Sequence, residues 1–374
     1  MCIMVICPIP NSTDFNVKLL PHEQDLSEFL REQVQTAFAN KTPLAIQGSG
    51  SKSFYGHPVR GEPLSVSRHR GIIRYEPTEL VITARCGTRL SDLEDMLAEH
   101  NQMLAFEPPY FGADATLGGA VATGLSGPRR PYAGSARDVV LGVRLLNGRG
   151  ESLKFGGEVI KNVAGFDVSR LMVGALGTLG LLLDISMKVL PRPDHESTLL
   201  FSMSRDAALT QMNRWTNQNW PLSAASYDDE NLRIRLSGAA TALARVHQQL
   251  GGELLANTEA ANFWSDLREQ RLAFFQGETP LWRLSMAPAA KTPNVSGSWL
   301  MDWGGALRWL KTEQACDSIF REAEALNAHA CLFRSTFGSE FQPLPPALAI
   351  LHRNIKLAFD PAGIFNPGRL YADW

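Results

Sequence analysis

The residues best placed to do chemistry lie in four glycine-rich turns. The first is GSGSKS (48–53), where successive backbone N–H groups from Gly48 to Lys52 can form an anion nest. Ser49 and Ser51 add hydroxyls and Lys52 a cation, a set suited to phosphate; an ordinary strand-to-strand turn would read the same. The second is ATLGGAVATG (115–124), whose small residues at 118–120, 122 and 124 leave room for a flat aromatic ligand on the backbone. Taken alone, a tightly packed turn is its plainer reading. The third is GSARD (134–138). The fourth spans 161–193, where a loop with Gly165 leads to a helical segment over 167–173 that starts at Asp167. Gly174, Gly177 and Gly180 follow at a spacing of three. Glycine lacks a Cβ, so such a turn admits a ligand or a second backbone at close range. Together the four turns describe the floor of a cofactor site.

The sequence argues against two common cofactor motifs. GSGSKS is one residue short of G-x-G-x-x-G, and Pro58 and Pro63 stand where a Rossmann unit needs an amphipathic helix. G-x-x-x-x-G-K-[ST] does not occur, so a P-loop is not supported. Groups that would act on a substrate are harder to find. His195, His247, His329 and His352 are isolated, with no pair at i,i+2 or i,i+4, and no metal site is expected. Arg283, Arg308 and Arg334 fall on strand-like segments, where they could bind a carboxylate or simply be exposed strand arginines. Trp303 and Trp309, beside Asp302, Gly304 and Gly305, fit either core packing or an anchor for a partner. No catalytic residue is assigned.

Periodicity supplies the elements that must position these turns. A helix starting near Asp25 and Glu28 carries Leu26, Phe29, Leu30, Val34, Ala37 and Phe38. The strand 43–47 feeds the first glycine turn, and strands follow near 64–66, 72–75 and 80–86. Ser91 and Glu94 open a second helix. The stretch 105–135 reads as loop, and strands at 139–146 and 152–155 flank Asn147-Gly148, a hairpin signal. Over 181–189, Leu181, Leu183, Ile185, Met187 and Val189 alternate with Asp184, Ser186 and Lys188, the pattern of a half-buried strand that Pro191 and Pro193 stop. Past Pro193, strands at 199–203, 224–227, 232–236, 281–286, 306–310 and 329–333 mix with helices at 207–215, 239–250 and 313–326, an α+β layer. A last helix over 347–359 precedes DPAGIFNPGRLY (360–371), a turn-locked loop.

With 374 residues, 44% hydrophobic and 20% charged, the chain can form two or three domains. A net charge of -2 offers nucleic acid or an anionic membrane no attraction. Cys2, Cys7, Cys86, Cys316 and Cys331 show no C-x-x-C, which argues against zinc or a disulfide framework and for a reducing compartment. The start MCIMVICPIP lacks the basic region of a signal peptide, and no apolar run reaches the ~20 residues of a membrane span. The expected location is cytoplasmic, with peripheral attachment at the inner membrane through partners left open.

The run GSGSK, ATLGG, GS-x-RD, GFD…L-x-x-G-x-x-GTLG…P-x-P and DP-x-G-x-FNPG resembles the FAD-binding family that includes vanillyl-alcohol oxidase. The resemblance covers roughly 40–193 and 345–374. It implies an α+β, two-subdomain PCMH-type FAD-binding fold with a smaller α+β cap. The corresponding divisions are an N-terminal extension (1–20), an FAD-binding domain (21–193), a cap (194–335) and a returning C-terminal segment (336–374). Carried over by motif, it implies that Gly48, Ser49, Gly50, Ser51 and Lys52 hold the FAD pyrophosphate. Thr116, Leu117, Gly118 and Gly119 would line the phosphate and ribityl region with Ser135 nearby, Gly177 and Ile185 would approach the adenine side, and Asn366 the flavin end. Gln47 stands where relatives often carry Arg, and no His occupies the positions used for covalent attachment, His57 being the closest. Dissociable FAD is therefore expected. A finer match, through SGPRRPYAGS, GGEVIKNVAGFDVSRLMVG and DWGGALRWL, is similar to the E-subunit family of bacterial glycolate oxidases. That resemblance implies an FAD-binding subunit of a multi-subunit dehydrogenase for glycolate, a 2-hydroxy acid. Its partners would be a catalytic FAD subunit and an iron–sulfur subunit that receives electrons. An autonomous FAD-dependent 2-hydroxy-acid or alcohol dehydrogenase and a non-catalytic flavin-fold scaffold are the alternatives.

Overall fold

The computed structural model describes residues 24–157, 167–228, 230–336 and 338–372. The expected extension 1–20 and the Gly165 loop lie outside the described residues. Helix α1 (Ser27–Asn40) buries Leu30, Val34 and Ala37 on one face and ends where Lys41 turns left-handed. It leads into β1 (Leu44–Gln47), which pairs in parallel with β2 (Glu62–Ser65). The first glycine turn therefore starts a connection between two parallel strands. Next come β3 (Ile72–Glu76), β4 (Val81–Arg85), α2 (Leu90–Ala98) and the short β5 (Gln102–Met103). Helix α2 begins at Leu90, so Ser91 lies inside its first turn and does not cap it.

The stretch 105–135, expected as loop, contains α3 (Leu117–Thr123) and α4 (Arg130–Ala133), and α5 (Ala136–Val139) follows. Glycines at 118 and 119 disfavour a helix locally, and tertiary packing overrides them. The Thr116 hydroxyl starts α3 by accepting the Gly119 N–H at 3.2 Å. Strands β6 (Val140–Leu146) and β7 (Ser152–Gly156) make the expected hairpin, closed by Asn147, whose side-chain oxygen accepts from the N–H groups of Arg149 and Glu151. Helix α6 (Val168–Leu171) is capped by Asp167. Strand β8 (Leu181–Lys188) completes a five-stranded antiparallel sheet in the order β3-β4-β8-β6-β7.

Its central place corrects the half-buried expectation, because β8 is covered on both faces. Leu181, Leu183, Ile185 and Met187 fill the core. On the other face Ser186 meets Thr83 at 2.8 Å, and Asp184 pairs with Arg144 at 2.5 Å. Arg144 also bonds Ser27 at the start of α1, so the polar residues find protein partners in place of water. Pro191 does not simply stop the strand; it belongs to β9 (Leu190–Pro191), which pairs with β5.

Beyond Pro193 the chain builds a nine-stranded antiparallel sheet among the described residues. Its first part comprises β10 (His195–Ser202), α7 (Arg205–Thr216), β11 (Leu222–Tyr227), β12 (Asn231–Gly238), α8 (Ala240–Leu250) and β13 (Glu253–Leu254). Helix α9 (Asn257–Arg268), β14 (Leu281–Ser285), β15 (Ser298–Asp302), β16 (Leu307–Lys311), α10 (Cys316–Ala325), β17 (His329–Arg334) and β18 (Glu340–Phe341) follow. Helix α9 and β15 were not foreseen in the sequence. The strand order is β13-β10-β12-β11-β15-β16-β14-β17-β18. This cap docks on the first unit through Arg129, which bonds Glu107 and Glu196, through Arg235 to Glu107, and through the Trp303 indole N–H, 2.9 Å from the Gly127 carbonyl. Helix α11 (Pro346–Phe359) then returns to the first unit, where Phe359 packs on Phe155 and Leu44 bridges Phe365.

Trp299, Trp303 and Trp309 are buried, so the stretch 299–309 is core and offers no exposed patch for a partner. Four large apolar side chains that are exposed, Leu348, Ile350, Leu351 and Leu357, sit on α11 instead. Among the described residues no helix is long and apolar enough to cross a membrane.

Candidate functional site

Three of the four glycine turns, the first, second and fourth, converge on one cavity of about 370 Å³. Gly48, Ser49, Gly50, Ser51 and Lys52 line one wall, and Thr116, Gly118 and Gly119 from the start of α3 line another. Gly177 and Asn366 close a third side. A cradle this tight needs its glycines. A Cβ on Gly48 would lie 2.5 Å from the Thr116 hydroxyl oxygen, and one on Gly118 would lie 2.8 Å from the Cβ of Cys86. Gly177 has φ +71, a conformation that side chains resist, and its Cβ would lie 2.7 Å from the Asn366 amide nitrogen.

Three of the expected residues do not line the cavity. Ile185 is fully buried in the core because Leu182 of β8, with Gly180 just before the strand, faces the cavity, and period two turns Ile185 the other way. Leu117 is likewise packed into the core, where a large apolar side chain is most stable. Ser135 and Asp138 form a capping box on α5, and the serine hydroxyl bonds the carboxylate at 2.7 Å. Lys52 borders the cavity, but its ammonium bonds the Tyr110 carbonyl at 3.1 Å. Burial holds that ammonium down to about 8, with Glu269 opposing the shift.

Asn366 earns its place structurally. Its side-chain oxygen accepts the Ile46 N–H at 2.7 Å and its amide donates to the Leu176 carbonyl at 2.8 Å, tying β1 to the third wall. The loop holding it is locked by a buried pair. Lys356 donates to Asp360 at 2.6 Å and to the carbonyls of Thr178 and Phe365, while Asp360 accepts the N–H groups of Ile364 and Phe365. Sequence reasoning missed Arg369, which lines the same cavity and donates to the His57 carbonyl at 2.8 Å and the Ser53 carbonyl at 3.0 Å. It brings a cation to a wall where Gln47 brings none. The signal available was its place directly after the Asn-Pro-Gly turn.

A second cavity, of about 30 Å³, lies across the 125–128 turn and under the cap sheet. The strand arginines separate here. Arg308 is buried against the carbonyls of Gly305 and Ala290, and Arg334 stacks on Phe54, whereas Arg283 lines the small cavity with Asp302 and Gln270. No group of histidines, cysteines and carboxylates that could hold a metal occurs among the described residues.

Comparison with known proteins adds to this geometry. Residues 22–156 match the FAD binding domain family. The chain is 49% identical over 351 residues to glycolate oxidase subunit GlcE of Escherichia coli (strain K12), covering 94% of this chain and 99% of that one. The chain belongs to the GlcE family of glycolate oxidase subunits. Glycolate oxidase subunit GlcD of Bacillus subtilis (strain 168) is 30% identical over 164 residues, 43% of this chain and 34% of that one. The crystal structure of p-cresol methylhydroxylase superposes with a TM-score of 0.70 at 14% identity, covering 94% of this chain and 88% of that one, a likeness of fold. This GlcE-family chain thus has the two-subdomain PCMH-type fold with an α+β cap, and its cofactor is FAD. The cavity fits that group: donor-rich turns stand at one wall, and the glycines leave no room for side chains where a flat ring system would lie.

Proposed function

We propose that this chain is the FAD-binding subunit of a multi-subunit glycolate dehydrogenase, an oxidoreductase acting on CH–OH that takes glycolate to glyoxylate and passes electrons to an iron–sulfur partner. The observation that carries the reading is identity to a GlcE subunit over nearly the whole of both chains, with the glycine cradle intact. FAD supplies the hydride chemistry when bound. The chain's own part is to hold it. The nest at 48–52 would face the pyrophosphate, Thr116, Gly118 and Gly119 the phosphate and ribityl region, Gly177 the adenine side, and Asn366 and Arg369 the remaining wall. We place Leu117, Ser135 and Ile185 behind this lining, as supports. Among the described residues no histidine borders the cavity, in keeping with the dissociable FAD of this reading.

The division into a flavin domain over 21–193, a cap over 194–335 and a returning segment over 336–374 belongs to the same reading. So do a cytoplasmic location and contact with a catalytic FAD subunit and an iron–sulfur subunit, with any membrane association made through them. The test is reconstitution. Co-expression with GlcD-type and iron–sulfur subunits is expected to give a complex that reduces a dye with glycolate, and omission of this chain to abolish turnover. Full glycolate-dependent turnover without it would overturn the proposal.

A further inference from the structure

The small cavity under the cap has the chemistry of a carboxylate site. Arg283, on β14, and Arg130, on α4, both stack on the Trp303 indole, at 5.2 and 4.2 Å. Arg283 bonds only the Ser285 hydroxyl, at 3.3 Å, and neither guanidinium has a carboxylate within ion-pair distance among the described residues. Asp302 acts on Arg283, and Asp138 on Arg130, only from beyond ion-pair distance, so the Arg283 guanidinium that lines the cavity has no direct acid partner there and can pair with an anion that enters it. Gln270 lines the same cavity at 5% exposure, in a left-handed backbone conformation (φ +55), and its side-chain oxygen accepts no hydrogen bond among the described residues. A buried acceptor left unpaired is unfavourable, so its placement points to a donor from outside the chain.

We propose that this cavity binds a two-carbon 2-hydroxy acid, with Arg283 pairing with its carboxylate and Gln270 accepting a hydrogen bond from its hydroxyl. The location fits. Thr123 borders the flavin cavity and Leu125, two residues on, borders this one. The volume of about 30 Å³ and the walls of Phe111, Trp309 and Phe333 limit the ligand to a few heavy atoms. Asp302 completes the lining, its Oδ1 accepting the Trp303 N–H at 2.7 Å. Burial raises that carboxyl to about 7, which favours its uncharged form and lessens its repulsion of an anion.

The site rests on the glycolate reading above and extends it by giving this subunit its own substrate contact. The experiment is calorimetric titration of the purified, flavin-loaded chain, without partners, with glycolate, acetate and lactate. Glycolate is expected to bind most tightly, since acetate lacks the hydroxyl and lactate adds a methyl. Arg283→Met is expected to weaken glycolate at least tenfold. Gln270→Leu is expected to bring glycolate down to the affinity of acetate and leave acetate unchanged, which a merely structural role would not do. Should Arg283→Met lose flavin or fold poorly, Arg283→Lys keeps the charge without the planar fork and is expected to weaken glycolate and acetate alike. An isolated chain that binds no glycolate at millimolar concentration, or a Gln270→Leu chain that still prefers glycolate to acetate, overturns the site. A reconstituted complex that oxidises glycolate beside such a chain would sink this site alone; glycolate binding beside a complex with no turnover would sink the subunit reading.

Discussion

At the residue scale, Gly177 and Asp302 show opposite ways in which one position constrains a site. Gly177 must be glycine because its φ is positive and because Asn366 occupies the space of a Cβ. Gly177→Ala is expected to destabilise the chain by about 1–2 kcal/mol from backbone strain alone, and to lower flavin content by displacing an amide that holds both Ile46 and Leu176. Denaturant titration and the visible flavin absorbance of the purified variant check both parts. Asp302 is constrained by its surroundings. Burial raises its carboxyl from 3.8 to about 7, Glu107 adds to the shift, and the Trp303 N–H, Arg235 and Arg283 oppose it, with Tyr132 nearby. Between these two values the native chain keeps a proton that the unfolded chain has released, so this group's contribution to stability falls as pH rises from about 4 to 7. Three pK units correspond to at most about 4 kcal/mol. Asp302→Asn should remove that slope and be more stable than the parent above pH 7; parallel unfolding slopes at pH 5 and 8 would refute this.

At the scale of elements, the loop after α11 depends on one buried ion pair. Lys356 and Asp360 neutralise each other, and their remaining bonds go to the backbone of 178, 364 and 365. Removing one partner leaves a charge stranded in the interior, typically a loss of about 3–5 kcal/mol. Lys356→Met is expected to show a loss of that order in denaturant melts, with a drop in flavin content because Asn366 and Arg369 ride on the loop. Lys356→Met combined with Asp360→Asn should recover part of the stability, since no charge is then left unpaired. The Asp-Pro and Asn-Pro punctuation marks this loop as a locked turn in the sequence, and the i,i+4 spacing of the pair is also visible there. That both members are buried is not visible, because it requires the 174–180 turn to cover them.

At the scale of the molecule, the glycine-lined cavity proposed to hold flavin draws most of its walls from three distant parts of the chain, 46–52, 116–123 and 176–182, and from the returning loop at 366–369. A ligand that binds only when these parts are assembled should stabilise the whole. Saturation with FAD at a hundred times its dissociation constant is expected to add about 2.7 kcal/mol. Thermal melts of flavin-stripped chain against added FAD should therefore rise with concentration, whereas a midpoint indifferent to FAD would argue that the cavity is not the flavin site.

The glycine turns and their order along the chain were legible in the sequence because their requirement is local: a backbone that must turn left-handed or meet another backbone excludes a Cβ at that position. The strand periods were legible for the same kind of reason, since alternation follows from the geometry of one strand. What a strand's second face meets is not local. Alternation made β8 half-buried and the family resemblance gave Ile185 a ligand role, whereas the strand's central position in the sheet covers both faces and Leu182, not Ile185, faces the cavity. Arg283, Asp302 and Gln270 come from β14, the end of β15 and the turn after α9, and strand order brings them together beneath the 125–128 turn. Three strand arginines were indistinguishable as sequence. The tertiary structure assigns one to backbone carbonyls, one to aromatic rings and one to a cavity, because burial, charge balance and neighbours are properties of the packed chain.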